Sequence, residues 1–262
     1  MPKQITSLGM NQKFKKTPLG MIPVDWELAT IGNYAKINAA TLNERTSPDA
    51  IFKYIDISSI EQPGKLSKTT QIVFKEAPSR ARRLVRSGDI LVSTVRPYLR
   101  AFARINLPDN DLVASTGFAV LTPINVDGEY LYQFVLSKQF VKFLEEQMTG
   151  SNYPAVNSSD VAMCPLPIPP LNEQKKISGI LSAVDAAIEK NDAVIEMTKQ
   201  LKKSLMQQLL TKGIGHKKFK KTKVGEIPVN WKVQPLIDTA TLQRGIDLPE
   251  KQRTPGTIPI FG

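Results

Sequence analysis

"LNEQKKISGILSAVDAAIEKNDAVIEMTKQLKKSLMQQLL" occupies Leu171 to Leu210. It holds no proline, and Gly179 is its only glycine, so nothing in it breaks a helix. Ile177, Leu181, Val184, Ile188, Asn191, Ile195, Thr198, Lys202, Leu205 and Leu209 follow in alternating steps of four and three. That alternation is a heptad register and lines these residues along one side of a helix. Ile180, Ala187, Val194 and Leu201 widen the stripe. The spacing predicts one long helix over 171–211, roughly 60 Å at about 1.5 Å per residue. A partner helix is expected to cover such a stripe, forming a coiled coil. Asn191 would cost stability in that seam but pin its register. The other reading is a long helix packed on its own globular domain.

The flanks bound this helix. Upstream, "MCPLPIPP" carries prolines at 165, 167, 169 and 170, which impose an extended strip and forbid helix until Pro170 is passed. Asn172 or a neighbour is then placed to cap the helix. Downstream, Gly213 and Gly215 end it, and "TKGIGHKKFKKTK" reads as a solvated, lysine-rich hinge.

Further out, residues 1–20 are polar and predicted to be a flexible segment. Residues 21–170 read as a mixed α/β domain. "AIFKYIDISSI", "DILVSTV" and "TGFAVLTP" are predicted strands, with turns at "QPGK" and Ser87–Gly88. In "EYLYQFVLSKQFVKFLEEQ" the period changes. Leu131, Phe134, Val135, Lys138 and Val141 predict one amphipathic helix there.

The chain repeats a phrase. "KFKKTPLGMIPVDW" at Lys13–Trp26 returns as "KFKKTKVGEIPVNW" at Lys218–Trp231. Glycine permits an unusual turn, proline holds an extended segment, and isoleucine and tryptophan bury apolar area. The phrase therefore reads as the anchored start of a domain. Residues 212–262 read as a linker and the start of a second, truncated domain.

Composition narrows the function. The net charge of +11 over 262 residues favours a polyanionic partner. Between Lys75 and Arg104, eight basic residues face only Glu76 and Asp89. Arg80, Arg82, Arg83, Arg86, Arg96, Arg100 and Arg104 are candidates to contact phosphates or guanine edges. Tyr98 is a candidate to stack, and Lys65 and Lys68 are weaker candidates. Ser115, Thr116 and Gly117 either shape a turn near a groove or end a strand, and Tyr153 is as readily a packing residue. The arginines equally fit a solvated strand face or pairing with Asp56, Glu76 or Asp89.

Enzymatic chemistry finds little support. The single histidine, His216, falls in the lysine-rich hinge, and the single cysteine, Cys164, directly precedes the proline strip. Neither a Ser/His/Asp nor a Cys/His arrangement can be assembled. There is no phosphate-binding G-x-x-x-x-G-K-[ST] loop and no G-x-G-x-x-G at a strand–helix turn. "IPPL" lacks the polar residue that adenine methyltransferases use to hold the target amine. No metal or other cofactor is expected. No apolar run nears the roughly 18 residues of a membrane span, and the N-terminus has no apolar secretion signal. The chain is expected to be cytoplasmic.

Five quoted stretches together resemble the specificity subunits of type I restriction–modification systems. "KKTPLGMIPVDWELATIG" (15–32) is similar to the opening of that family's target recognition domain. "GDILVSTVRPYLRAFA" (88–103) and "STGFAVLTP" (115–123) are similar to its middle, and "GSNYPAVNSSDVAMCPLPIPPLNEQKKI" (150–177) to its exit into the long helix. "KKTKVGEIPVNW" (220–231) is similar to the start of a second recognition domain.

The resemblance implies two recognition domains and two long helices in an antiparallel coiled coil, each domain reading half of a bipartite double-stranded DNA target. It also implies docking of methyltransferase subunits and, through them, restriction subunits. Adenine-N6 methylation and ATP-dependent cleavage would then reside on those other chains. The sequence matches the first half of such a protein plus the opening of the second. It is thus expected to be a fragment, or a half-subunit that pairs its helix with a second copy and reads a palindromic, interrupted site. A coiled-coil dimeriser without a DNA role is the alternative, and a small independent nuclease a remote third.

Overall fold

A computed structural model of the chain describes residues 13–67, 69–108, 111–150 and 154–241. These divide into two units, one up to Ala187 and one from Ile188, with the border inside the long helix. The first unit begins with strands β1 (Phe14–Thr17), β2 (Gly20–Pro23), β3 (Glu27–Thr30), β4 (Ala35–Ile37) and β5 (Ile51–Ile55). It continues with β6 (Ile60–Gln62), β7 (Lys65–Leu66), β8 (Thr70–Val73), β9 (Ala81–Val85) and β10 (Ile90–Ser93). Then come β11 (Phe102–Arg104), β12 (Leu112–Ser115), β13 (Phe118–Pro123) and β14 (Pro165–Ile168). Helices α1 (Ile31–Tyr34), α2 (Gly128–Val135), α3 (Lys138–Gln147) and α4 (Ser158–Met163) accompany them. Helix α5 runs from Leu171 to Lys212 and crosses into the second unit.

Two four-stranded sheets form the centre, in the orders β11-β10-β13-β4 and β8-β5-β12-β9. All neighbours are antiparallel except β5 and β12, which run parallel. The two-residue period of a strand sorts side chains between the layers. In β10, Ile90 and Val92 join the cluster shared with the helices, while Leu91 joins the cluster between the sheets. In β13, Ala119 and Leu121 face the helices, and Phe118 and Val120 face the second sheet. In β12, Leu112 and Ala114 point into the same inter-sheet cluster, and Val113 points to an outer one with Phe52 and Tyr54. Every residue of β10 and β12 is buried because both faces are covered.

The expected single helix over 129–147 is two. Leu136 closes α2, and Ser137, with extended backbone, accepts the Phe140 N–H to start α3. The apolar spacing runs nearly in phase across the break, which hid it. The new direction carries Phe140, Val141 and Leu144 into the helix-side cluster. The proline strip is strand β14, antiparallel to β3, with Leu166 and Ile168 buried and the prolines on the alternate side. Prolines, which donate nothing, fit this two-stranded edge.

The first turns of α5 are held by polar contacts. Pro170 O accepts from the N–H groups of Glu173 and Gln174, so Asn172, expected as a cap, lies inside the first turn. Trp26 Nε1 donates to Glu173 Oε2 at 3.2 Å. Gln174 is only 2% exposed; its Oε1 accepts from Asp127 N at 2.9 Å and its Nε2 donates to Pro169 O at 2.8 Å. Ser178 Oγ donates to Asp127 Oδ1, and Ser182 Oγ to Glu129 Oε1. Replacing Gln174 by alanine orphans a buried donor and acceptor. Chemical denaturation is expected to show a loss of about 2–4 kcal/mol, against less than about 0.5 kcal/mol for Lys175→Ala on the exposed side.

The repeated phrase folds into the same hairpin twice. In the second unit, β15 (Phe219–Thr222) pairs with β16 (Gly225–Pro228) in the register that β1 keeps with β2. Thr17 Oγ1 donates to Gly20 O and Thr222 Oγ1 to Gly225 O, each at 2.7 Å. Gly20 and Gly225 hold φ of 104° and 112°. Ile22 and Ile227 are buried, as the phrase predicts. Part of the expected flexible start and part of the expected hinge are therefore strand; residues 1–12 and 242–262 lie outside the described residues. Helix α5 ends at Gly213 (φ 65°), whose N–H reaches Leu209 O. A Cβ there would lie 2.7 Å from His216 Cδ2 and 2.9 Å from Trp231 Cζ2, so only glycine fits. His216, expected in solvent, is half-buried with its ring edge-on to Trp231 at 6.1 Å.

Candidate nucleic-acid interface

The strand registers bring part of the basic segment to one rim. Ser115 pairs with Ala81 and Ser93 with Phe118, so the start of β9, the end of β10 and the β12–β13 turn coincide. Thr116 N donates to Arg80 O at 2.7 Å. Thr94 donates twice to Gly117 O, from its backbone N and its Oγ1. A Cβ on Gly117 would come within 2.8 Å of Ile57 Cδ1, which keeps this turn tight. From Thr94 the chain is pinned to Val156 and Pro154 by Val156 N→Thr94 O and Arg96 N→Pro154 O, both 2.9 Å. A single 3-10 turn follows, Pro97–Leu99, with Arg96 before it and Arg100 after it. Arg80 and Arg96 are exposed, Arg100 is partly so, and Tyr98 and Leu99 stand out from the turn.

Other candidates lie elsewhere. Leu112 pairs with Val85, and Ile90 with both Leu121 and Arg104, so Arg86 and Arg104 sit at the opposite strand ends, roughly 10 Å away. Arg104 is tied internally to Glu129 Oε2 at 2.8 Å and to Asn106. Arg86 is exposed, and its N–H donates to Asp89 Oδ2. Burial pushes the Asp89 carboxyl up, opposed by hydrogen bonds from Thr122 and Arg86 and by the Arg86 charge. Arg82 caps the Phe74 ring at 5.1 Å and donates to Ala81 O; Arg83 is partly buried with its Nε unpartnered. Lys65 lies on β7, whose hairpin touches β11 through Gly64 N→Phe102 O. The Lys65 side chain, Lys68 and Tyr153 lie outside the described residues.

Two rim residues escaped the sequence reading. Thr94 gave no signal, since a threonine after a β-branched run looks like more strand. Leu99 had one: an apolar residue next to Tyr98, just after a proline and between two arginines. Beneath the rim, the Tyr54 hydroxyl is buried without a directed partner beside Ser115, Asp56 and Arg80. Burial raises its pKa, Ser115 lowers it and Asp56 raises it further, so it stays a neutral donor. Cys164 is fully buried, and burial pushes its thiol up to about 12. A protonated, covered thiol is not a nucleophile.

The heptad stripe on α5 is bare. Ile177 packs against the helix-side cluster of the first unit. Beyond it Leu181, Val184, Ile188, Ile195, Leu205 and Leu209 are 41–53% exposed, and Asn191 is exposed among them. Toward the C-terminal end, Leu201, Leu205, Met206, Leu209 and Leu210 line an apolar hollow of about 410 Å³.

Comparison with known proteins places these features in context. The profile of the type I restriction modification DNA specificity domain matches residues 23–197. The chain is 31% identical over 237 residues to the type I restriction enzyme MjaVIII specificity subunit of Methanocaldococcus jannaschii, covering 89% of this chain and 53% of the relative. It is 27% identical to the HindI specificity subunit of Haemophilus influenzae, covering 90% of this chain and 48% of that one. The crystal structure of the HsdS subunit from Thermoanaerobacter tengcongensis superposes with a TM-score of 0.59 at 30% identity, over 72% of this chain and 49% of that one. The chain thus spans about half the length of the curated relatives it matches.

Proposed function

Since this chain belongs to the family of type I restriction modification DNA specificity domains, we propose that it is a DNA sequence-specificity subunit whose first unit reads one half of a bipartite double-stranded site. The observation that carries this is the rim on which Arg80, Arg96, Tyr98 and Arg100 meet around the Thr94–Gly117 turn. The guanidinium groups suit phosphates and guanine edges, and the hydrogen-bonded Pro97–Leu99 turn fixes the backbone of Arg96 and Arg100. Arg82, Arg83, Arg86, Lys65 and Lys68 stand as secondary contacts; Arg104, engaged with Glu129, is the weakest. Residues 21–170 act as the recognition domain, 171–211 as the spacer, and 212–262 as the start of a second recognition domain.

The bare stripe from Leu181 to Leu209 takes an antiparallel helix of the same kind, supplied by a second copy of this chain. The pair spaces two half-sites and favours a palindromic, interrupted target. Methyltransferase subunits dock on it and bring restriction subunits, so adenine methylation and ATP-dependent cleavage belong to those chains and this chain is not catalytic. Assembly takes place in the cytoplasm.

The test is methyl transfer to adenine on a random-sequence duplex pool by the chain mixed with its methyltransferase subunit. Enrichment of one interrupted sequence is expected; equal transfer to all sequences, or no complex, rejects the reading. Arg96→Ala/Arg100→Ala is expected to weaken binding to the enriched duplex by about 30-fold or more and to flatten its salt dependence. If that variant retards DNA like wild type, the rim is not the reading surface.

A further inference from the structure

The turn at Pro97–Leu99 has a strained backbone. Four described non-glycine residues have positive φ: Asn38, Arg96, Arg100 and Asn125. Asparagine tolerates that region, whereas arginine has no side-chain reason to adopt it. Yet Arg96 (φ 48°, ψ 57°) and Arg100 (φ 54°, ψ 39°) bracket one turn of three residues. Strain of this kind persists only when the surroundings over-determine it, and it gathers at functional positions.

The surroundings do over-determine it here. Arg96 N is bonded to Pro154 O, Leu99 N to Arg96 O, Arg100 N to Pro97 O, and Phe102 N to Arg100 O at 2.7 Å. Pro97 is buried, and the fully buried Phe102 follows at once. The turn is a rigid pedestal, and it leaves both Tyr98, 42% exposed, and Leu99, 63% exposed, open to solvent. A lone exposed leucine says nothing. An apolar pair lifted on a rigid turn between two arginines has the chemistry of a wedge for nucleic acid. Its charges suit phosphates, and its tip suits the apolar space between base pairs.

We propose that Leu99, held out on this turn, inserts at a base step of the bound half-site and partly unstacks it. The sequence read by this domain then includes a position recognised by how easily the DNA deforms. This rests on the reading of the rim as the DNA face. Pyrimidine–purine steps unstack most readily, so the enriched site carries one at a constant position. Arg96 and Arg100 flank the tip and favour a polyanion over an apolar protein groove as its occupant.

The experiment uses the chain in complex with its methyltransferase subunit and the duplex enriched by wild type, with 2-aminopurine at the pyrimidine–purine step. Wild type and Leu99→Met are expected to raise the fluorescence on binding, and Leu99→Ala to lose the rise. Preference for that step over a purine–pyrimidine replacement is expected to fall by about ten-fold in Leu99→Ala. Matching thermal melting curves establish that the variant is folded. If wild type enriches no sequence, the DNA reading itself fails. If wild type enriches a site but Leu99→Ala keeps the fluorescence rise and the preference, the wedge alone is overturned. If Leu99→Ala instead sheds the methyltransferase subunit with the rise intact, the tip is a protein contact and the wedge is overturned as well.

Discussion

Val184→Asp, Ile188→Asp and Ile195→Asp together are expected to change the particle mass in solution from twice 29.1 kDa to 29.1 kDa. These side chains lie at the middle of the stripe on α5 and are 52–53% exposed in the single chain. Pairing with a second copy would bury what remains of them, and that burial drives association. Aspartates there would put six charges into one antiparallel seam, in which Lys202 of each copy supplies only two cations. Desolvating an unpaired ion costs several kcal/mol, so the dimer constant should weaken by at least a thousand-fold, on the order of 4 kcal/mol. Ala186→Asp, on the far side of the same helix, should leave the mass unchanged. Multi-angle light scattering reads both variants. A wild-type chain already at 29.1 kDa would remove the second copy as the partner of this seam.

Phe140→Ala is expected to cost the first unit about 3–5 kcal/mol and to lower its melting temperature by roughly 8–16 °C. Phe140 is fully buried on α3, edge-on to Phe102 at 5.8 Å and to Phe134 at 6.1 Å. Truncating it leaves a void that neighbours on three elements, α2, α3 and β11, cannot collapse to fill. Phe102 begins β11, directly after Arg100 and Ala101, so the same void loosens the footing of the strained turn. DNA retardation should weaken at temperatures where the fold still holds. Phe14→Ala is the matched control: Phe14 is 52% exposed on β1, and its loss should change stability by less than about 0.5 kcal/mol. Calorimetry distinguishes the two, and equal melting temperatures would mean that the Phe140 cluster does not carry the stability assigned to it.

The two variants also separate what could be read along the chain from what could not. The stripe bearing Val184, Ile188 and Ile195 was legible because helical periodicity is a local property. No proline interrupts it, and its register needs no knowledge of the fold. The duplicated phrase was legible as a repeat, but its hairpin was passed over. The signal was there: Thr17 and Thr222 each stand three residues before a glycine, the pattern of a tight turn. The break between α2 and α3 was hidden because Ser137 looks like any surface serine until its hydroxyl is seen accepting the Phe140 N–H.

The arginines show the other side. In sequence, Arg80 to Arg104 form one basic run. In the fold, Arg80, Arg96 and Arg100 reach one rim, Arg86 and Arg104 the opposite strand ends, and Arg82 the ring of Phe74. That division follows from which residue of β12 lies opposite which residue of β9, and which of β10 opposite β13. Register across strands distant in sequence is set by packing both faces of two sheets at once, and no local window contains that information. By itself, then, the sequence determined a long helix with an apolar stripe, a phrase used twice and an excess of positive charge, all properties of neighbouring residues. Only the tertiary structure decided which charges share a surface and that Leu99 is lifted between two of them, because those positions depend on contacts between segments far apart in the chain.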